Sequence, residues 1–146
     1  MSREELEKAV LEALNRLYAR DTTLLSDDAA EWTITHRLAV YIENALPGWD
    51  VDCEYNRQGP NADTKVRDNA SLVRPDIIVH HRRLIQKPHN LLAVEIKKHA
   101  CDHDSDKTRE YTDRPNRERL FQYQYGVTIS LDGPELVWYK DGRVAD

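Results

Sequence analysis

Three charged side chains stand on two apolar segments of this chain: Asp76 in residues 73–81, and Glu95 and Lys97 in residues 91–98. Both segments have the length and the β-branched content of strands. Because successive side chains of a strand point to opposite faces, Glu95 and Lys97 project together, about 7 Å apart along the strand. The apolar residues Leu92, Val94 and Ile96 project to the other face, which is therefore predicted to be buried.

The two carboxylates predict a site for a divalent cation. On the first strand Asp76 shares a face with Ile78, and the simplest hairpin register brings Asp76 opposite Glu95. Carboxylate oxygens suit Mg²⁺, with Mn²⁺ as a substitute, and the backbone carbonyl of Ile96 is a further ligand. Such a cation polarises a phosphate and lowers the pKa of a bound water. Lys97 would orient that water or offset charge in the transition state.

This constellation predicts a hydrolase that cuts phosphodiester bonds. The alternative interpretation is that the three residues are ordinary charges on the solvent side of two strands. Against it, Asp76 directly follows Pro75, and Glu95 and Lys97 interrupt an apolar run. Spacing alone leaves both interpretations open.

The remaining pattern predicts the elements that position these residues. The order of elements favours an α/β fold with a mixed sheet of four to five strands flanked by helices, in a single domain over residues 1–146. The helix at 3–20 precedes this core as an extra element. The predicted helices are 3–20, 30–46 (with Asp27 or Asp28 as N-cap), a short one near 105–112, and 116–125; the predicted strands are 49–57, 73–81, 91–98, 126–131 and 135–140, and residues 58–71 are predicted to form a loop.

Composition narrows the function classes. Charged residues make up 32% of the chain and the apolar set 40%, and no apolar run approaches the ~20 residues of a membrane span. Without an apolar signal core after Met1, a cytoplasmic location with no membrane partner is expected. Cys53 and Cys101 lack the spacing of a metal or disulfide motif and are expected to be free thiols. The net charge of -5 is unusual for an autonomous nucleic-acid-binding module, because such modules are generally basic.

The motif Pro75-Asp76, followed after 18 residues by Glu95-Ile96-Lys97, resembles the PD-(D/E)XK (restriction-endonuclease-like) nuclease superfamily. The order helix, three strands, helix, strand over about residues 30–131 is similar to the core of that superfamily. The segments EYNRQG, RPDIIVHHR, LLAVEIKK and YQYGVTISL resemble a group of its small bacterial members. The resemblance implies a metal-dependent nuclease, with DNA as the first expectation for its substrate. Asp76, Glu95 and Ile96 would bind the metal, and Lys97 would position the nucleophilic water.

The superfamily pattern often adds a glutamate from the helix before the first strand. Glu31 and Glu43 compete for that role, and Glu31 is favoured because it shares the inward face of the helix near its start. The pattern also includes a polar residue on the helix after the third strand. Lys107 and Gln122 are both open for that position.

Several other residues have a functional and a structural interpretation. His80 could line the cleft or simply end a strand, and Arg82 with Arg83 could contact phosphates or lie in a solvated loop. Aromatic residues near the last helix could stack on bases or form core. The histidines do not have zinc-finger spacing. The histidines are His80, His81, His89, His99 and His103, with Cys101 between the last two. The basic residues near Arg82 and Arg83 in the sequence are Lys65, Arg67, Arg74 and Lys87, and the polar pair is Glu54 and Asn56. The aromatic residues are Tyr111, Phe121, Tyr123 and Tyr125.

Two other functions remain open at this stage. The chain could be a nuclease-fold binding or assembly module of a larger defence or mobile-element system, because its acidic charge and lack of a recognition element suit a protein that needs a partner. It could also act on RNA. A C2 homodimer would place two cutting sites for a double-strand break.

Overall fold

The computed structural model describes most of the chain. For residues 57–58, 63–64 and Ser105 it describes the backbone alone. The described ranges are 1–27, 29–55, 57–58, 63–64, 74–99, 105–116 and 120–146. The predictions for Asp28, Asn56, Lys65, Arg67, Cys101 and His103 lie outside these ranges.

Among the described helices, the first has a side-chain cap at its start and the third has none. Ser2 and Glu5 form a capping box at the start of the first helix, which satisfies N–H groups that have no partner within the helix. The predicted cap at Asp27 is wrong, because Ala30 occupies that position before the third helix and makes no side-chain cap. The helices are α1 (Arg3–Arg20), α2 (Thr22–Ser26), α3 (Glu31–Ala45) and α4 (Ser105–Thr112), and a 3₁₀ turn covers Lys87–His89. No described helix is long and apolar enough to cross a membrane.

The strands form one mixed sheet and a short separate ribbon. Among the described residues, six strands form the sheet in the order β1-β4-β5-β6-β7-β8, and only the β5–β6 pair of these is parallel. A parallel neighbour requires a crossover, and α4 lies in it. The predicted mixed α/β architecture is therefore confirmed, but the sheet has six described strands instead of the four to five expected, because the short edge strand β8 extends it. The strands are β1 (Asp50–Cys53), β2 (Arg57–Gln58), β3 (Asp63–Thr64), β4 (Ile77–His80), β5 (Asn90–Lys97), β6 (Tyr125–Ser130), β7 (Glu135–Lys140) and β8 (Arg143–Val144).

The two faces of the sheet carry different cores. The larger core joins α1 and α3 to the alternate strand residues Ile77, Val94 and Val127, among others. The smaller core, on the opposite face, contains Ile78 and Ala93 with aromatic residues from α4 and the segment after it. This alternation is the one predicted for β4 and β5, so Glu95 and Lys97 point toward the side of α4.

Two predicted elements are wrong or too long. The helix expected at 116–125 is absent from the described residues of that range, where 120–124 form an irregular segment before β6. Phe121 and Tyr123 are both fully buried, and the Tyr123 N–H donates to the Tyr111 carbonyl at 2.8 Å. The burial of these rings and the hydrogen bond to Tyr111 fix the irregular course of this segment.

The strand expected at 49–57 ends at Cys53. Glu54 has a φ of 49°, which interrupts the extended backbone. As a result Tyr55 packs against the smaller core, while Val51 packs against the larger one.

Candidate functional site

Asp76 lies immediately before β4, after the buried Pro75. Its Oδ2 accepts a hydrogen bond from the Ile96 N–H at 2.7 Å. The pairing of Ile77 with Val94, continued by one position, sets Asp76 opposite Glu95. Among the described residues, β4 covers only Ile77–His80 of the strand predicted at 73–81. The predicted register between Asp76 and Glu95 agrees with this pairing.

Glu95 is a buried carboxylate with two partners from α4. Its side chain is 3% exposed, and the Lys107 Nζ lies 3.0 Å from its Oε1. The Tyr111 hydroxyl donates to the same oxygen at 2.8 Å. Burial and then the negative charge of Asp76 raise the pKa of Glu95, Lys107 and Tyr111 oppose the rise, and together these effects set the pKa at about 7. The carboxyl group is thus poised between its neutral and ionised forms near neutral pH.

Lys97 is the last residue of β5 and is half-buried. Strand alternation sets it on the face of Glu95, and its Cα is paired with Ser130 of β6. Among the described residues, no hydrogen bond or ion pair engages its ammonium group. An ammonium group in this position can donate to a water or to a phosphate oxygen.

Glu31 and Asp76 line the same cleft, which has a volume of about 420 Å³. Glu31 is the first residue of α3, so the N-terminus of that helix faces Asp76. Glu43 lies twelve residues further, about 18 Å along the helix axis, and does not line this cleft. The other lining residues are Trp32, Thr35, His36, Cys53 and Glu54.

The carboxylate oxygens of Asp76 and Glu95 are of the kind that a hard divalent cation binds. Asp76 and Glu95 raise each other's energy when both are ionised, and a cation between them would relieve that repulsion. The Ile96 N–H donates to Asp76, and because the N–H and C=O of a strand residue point toward the same edge of the strand, the Ile96 carbonyl is directed to the side of Asp76. Within the part of the chain that the structure describes, no group of three or more His, Cys, Asp or Glu side chains could hold a metal ion. Mg²⁺ needs only one or two carboxylates, since water and substrate phosphate complete its shell.

The two options for the polar residue after the third strand are separated by position. Lys107 contacts Glu95, whereas the Gln122 amide donates to the Thr112 carbonyl at the far end of α4. The Lys107 and Tyr111 spacing of four residues sets both on one face of α4. That spacing could have identified Tyr111, which sequence reasoning considered only as a base-stacking or core residue.

The predicted histidine and arginine positions serve other contacts. The His80 Nε2 lies 2.7 Å from Asp52 Oδ2, and the Arg82 guanidinium binds both oxygens of Asp52, at 2.8 and 2.6 Å. This pairing raises the pKa of Arg82 and lowers that of Asp52, against the opposing effect of burial. Arg82 is therefore engaged within the chain rather than directed at the cleft.

His81, His89 and His99 are not among the residues that line the cleft, and the four aromatic residues named for base stacking are core residues. The Nδ1 atoms of His81 and His89 are 3.0 Å apart, and His99 lies 3.4 Å from Asp132. Tyr111, Phe121 and Tyr123 are fully buried, and Tyr125 is almost so. They have no ring face available for a base.

Sequence reasoning missed Trp32, although a signal was present. Trp32 stands two positions before the buried Ile34 and therefore lies off the apolar stripe of α3. This position predicts that the Trp32 side chain is exposed.

Comparisons of the chain with protein-family models, curated proteins and solved structures found no match. The family resemblance therefore remains a prediction from the motif.

Proposed function

We propose that the chain is a Mg²⁺-dependent nuclease of the PD-(D/E)XK type, acting on DNA. The observation that carries the proposal is the position of Asp76, opposite the buried Glu95 and hydrogen-bonded to the Ile96 N–H. Lys97 lies on the same face, two residues along β5. An acidic pair can hold the cation that polarises the scissile phosphate, and an adjacent ammonium group can offset the charge that develops in the transition state.

Each residue of the set has a role that follows from its surroundings. Asp76, Glu95 and the Ile96 carbonyl would hold Mg²⁺, and Glu31 would assist from across the cleft. Bound Mg²⁺ supplies Lewis acidity at the scissile phosphate. Lys97 donates a hydrogen bond to the attacking water or to a phosphate oxygen and offsets the negative charge of the transition state. Tyr111 and Lys107 orient the Glu95 carboxylate through its Oε1.

The test is cleavage of plasmid DNA, single-stranded DNA and RNA in Mg²⁺ or Mn²⁺. We expect Asp76→Asn and Lys97→Ala to reduce the rate by on the order of a hundredfold or more, because each removes a group that acts in the transition state. Lys98→Ala is a matched control, since Lys98 borders a different cavity. Asp106→Asn is a second one, with a side chain that is 78% exposed. Unchanged cleavage by the Asp76 or the Lys97 variant would overturn the assignment.

Glu31 and Glu43 provide a further matched pair on one helix. Glu31→Gln should slow cleavage, whereas Glu43→Gln should leave it unchanged. The reverse result would remove Glu31 from the site and leave the role of the three strand residues standing.

A second candidate function is a nuclease-fold binding or assembly module. The observation that favours it is Lys107, whose ammonium group lies 3.0 Å from the Glu95 carboxylate and offsets its charge in the way that a bound cation would. The net charge of -5 also suits a chain that relies on a partner for nucleic-acid contact. Calorimetric titration with Mg²⁺ and Mn²⁺ separates the two functions. No binding at millimolar concentration would favour the module.

A further inference from the structure

Trp32 differs from the other two tryptophans of the chain in its surroundings. Its side chain is 71% exposed, whereas Trp138 is 3% exposed. Trp49 stacks on His81 with ring centroids 4.2 Å apart. An exposed indole forgoes the large stabilisation that burial would give it. A ring left in solvent at a cleft is therefore a candidate contact surface.

The cleft that Trp32 borders is the one that contains Asp76 and Glu31. His36 lies one helical turn further, on the same face of α3, and is also exposed. Two exposed aromatic rings thus line a cleft that also contains carboxylates. Glu54 adds a further acidic side chain to this lining.

The charges around Trp32 indicate what would cover it. A protein partner would have to bury the carboxylates of Glu31, Glu54 and Asp76 along with the indole, which is costly unless each is paired. A polynucleotide has a π face on each base and phosphates that bridge to carboxylates through a divalent cation. The combination of an exposed ring and acidic lining residues therefore favours a nucleic acid with bound divalent cations over an apolar protein surface.

We infer that Trp32 is a stacking platform for an unpaired base beside the scissile phosphate, so that the preferred substrate is single-stranded nucleic acid or a strand with unpaired bases. The inference rests on the proposed function. In an intact duplex both faces of a base are already stacked, and extruding the base costs a few kcal/mol. An unpaired base presents its face to the indole without that cost. Trp32 is a positioning residue, since it contacts the substrate away from the reacting atoms.

The experiment crosses a protein change with a substrate change. Binding is measured by fluorescence anisotropy in Ca²⁺, with a thymidine oligomer and with an abasic oligomer of the same length. Trp32→Ala should weaken binding of the thymidine oligomer by roughly tenfold to a hundredfold and leave binding of the abasic oligomer unchanged. Trp32→Phe should retain most of the affinity. Leu11→Ala is the control, because Leu11 is an exposed apolar residue on α1 outside the cleft.

The same measurement with a duplex gives a second readout. The wild-type chain should bind the single strand more tightly than the duplex, and Trp32→Ala should reduce that ratio. Because Trp32 is exposed, the variant should keep the circular dichroism spectrum and the Tm of the wild-type chain.

Each contrary outcome has a distinct meaning. Equal weakening for the thymidine and abasic oligomers, or no weakening at all, would overturn the stacking role and leave the proposed nuclease standing. A change in oligomeric state by analytical ultracentrifugation, with unchanged affinity, would assign Trp32 to contact with a second copy and overturn the inference. Failure of the wild-type chain to bind any oligonucleotide would overturn both proposals.

Discussion

Glu95 combines three electrostatic neighbours in a buried position. Lys107 and Tyr111 stabilise its ionised form, while burial and the charge of Asp76 stabilise its neutral form and prevail, raising its pKa to about 7. In the unfolded chain the same group titrates near the ordinary value of 4.5. The folded chain therefore binds more protons than the unfolded chain between these two values, and its stability falls as the pH rises through this interval.

Glu95→Gln should remove this pH dependence. At about 1.4 kcal/mol for each pH unit, the change from 4.5 to about 7 corresponds to a loss of about 3 kcal/mol in the wild-type free energy of unfolding between pH 4.5 and pH 8. Glutamine has no proton to lose, so the variant should lack this decline. Urea denaturation in EDTA across this pH range measures both proteins. Glu4→Gln, at an exposed position on α1, should parallel the wild-type curve, and a parallel curve for Glu95→Gln would contradict the prediction.

At the residue scale, the sequence predicted contacts that depend on strand geometry alone. Alternation and simple register placed Asp76 opposite Glu95, and the Ile77 pairing with Val94 agrees. The choice between Lys107 and Gln122 could not be made, because it depends on where the crossover sets α4 against the sheet. Strand periodicity contains no information on that placement.

At the scale of elements, α4 approaches the sheet most closely over β6. A Cβ at Gly126 would lie 2.9 Å from the Thr108 methyl carbon, 3.0 Å from that of Thr112 and 3.2 Å from the Thr108 carbonyl oxygen. Glycine thus permits the helix spacing that brings Lys107 and Tyr111 to Glu95. The Thr108 and Thr128 hydroxyls, 2.9 Å apart, hold the same contact.

Gly126→Ala should lower the free energy of unfolding by about 1–3 kcal/mol, because α4 must shift outward to admit the methyl group. The shift would separate Lys107 and Tyr111 from Glu95, so the pKa of Glu95 should rise further. The pH dependence of urea denaturation reports both effects. Adding Thr108→Ser removes the nearest methyl and keeps the hydroxyl, so the double variant should recover part of the loss. A Gly126→Ala chain as stable as the wild type would refute the close contact.

Elements whose hydrophobic pattern repeats several times were predicted with the right bounds. Elements whose conformation depends on tertiary contacts were not. The helix at Arg3–Arg20 and the strand at Glu135–Lys140 match their predicted bounds, because each pattern extends over several repeats. The two-residue strand β8 has too few residues to show a period. The segment 120–124 is irregular rather than helical because its aromatic residues fill the smaller core. Helix propensity alone contains no information on such tertiary contacts.

At the scale of the whole molecule, one face of the sheet carries most of the apolar core and the other face carries the candidate site. The face toward α1 and α3 carries the larger apolar core. The face toward α4 carries the buried Glu95 with its charged and hydroxyl partners, beside a small aromatic core. A destabilised carboxylate on one face is tolerated because the apolar contacts on the other face offset it.

Leu14→Ala tests this separation when it is combined with Glu95→Gln. Leu14 is 1% exposed in the larger core, so its truncation should cost about 2–5 kcal/mol. Groups on opposite faces share no partner, so the effects of the two changes on the free energy of unfolding should add to within about 0.5 kcal/mol. Urea denaturation at pH 8 in EDTA gives the four values of the cycle, and Leu11→Ala, at an exposed position on α1, replaces Leu14→Ala in a control cycle. A coupling of about 1 kcal/mol or more would mean that strain at Glu95 is transmitted through the sheet to α1, and the larger core would then contribute to the geometry of the site as well as to its support.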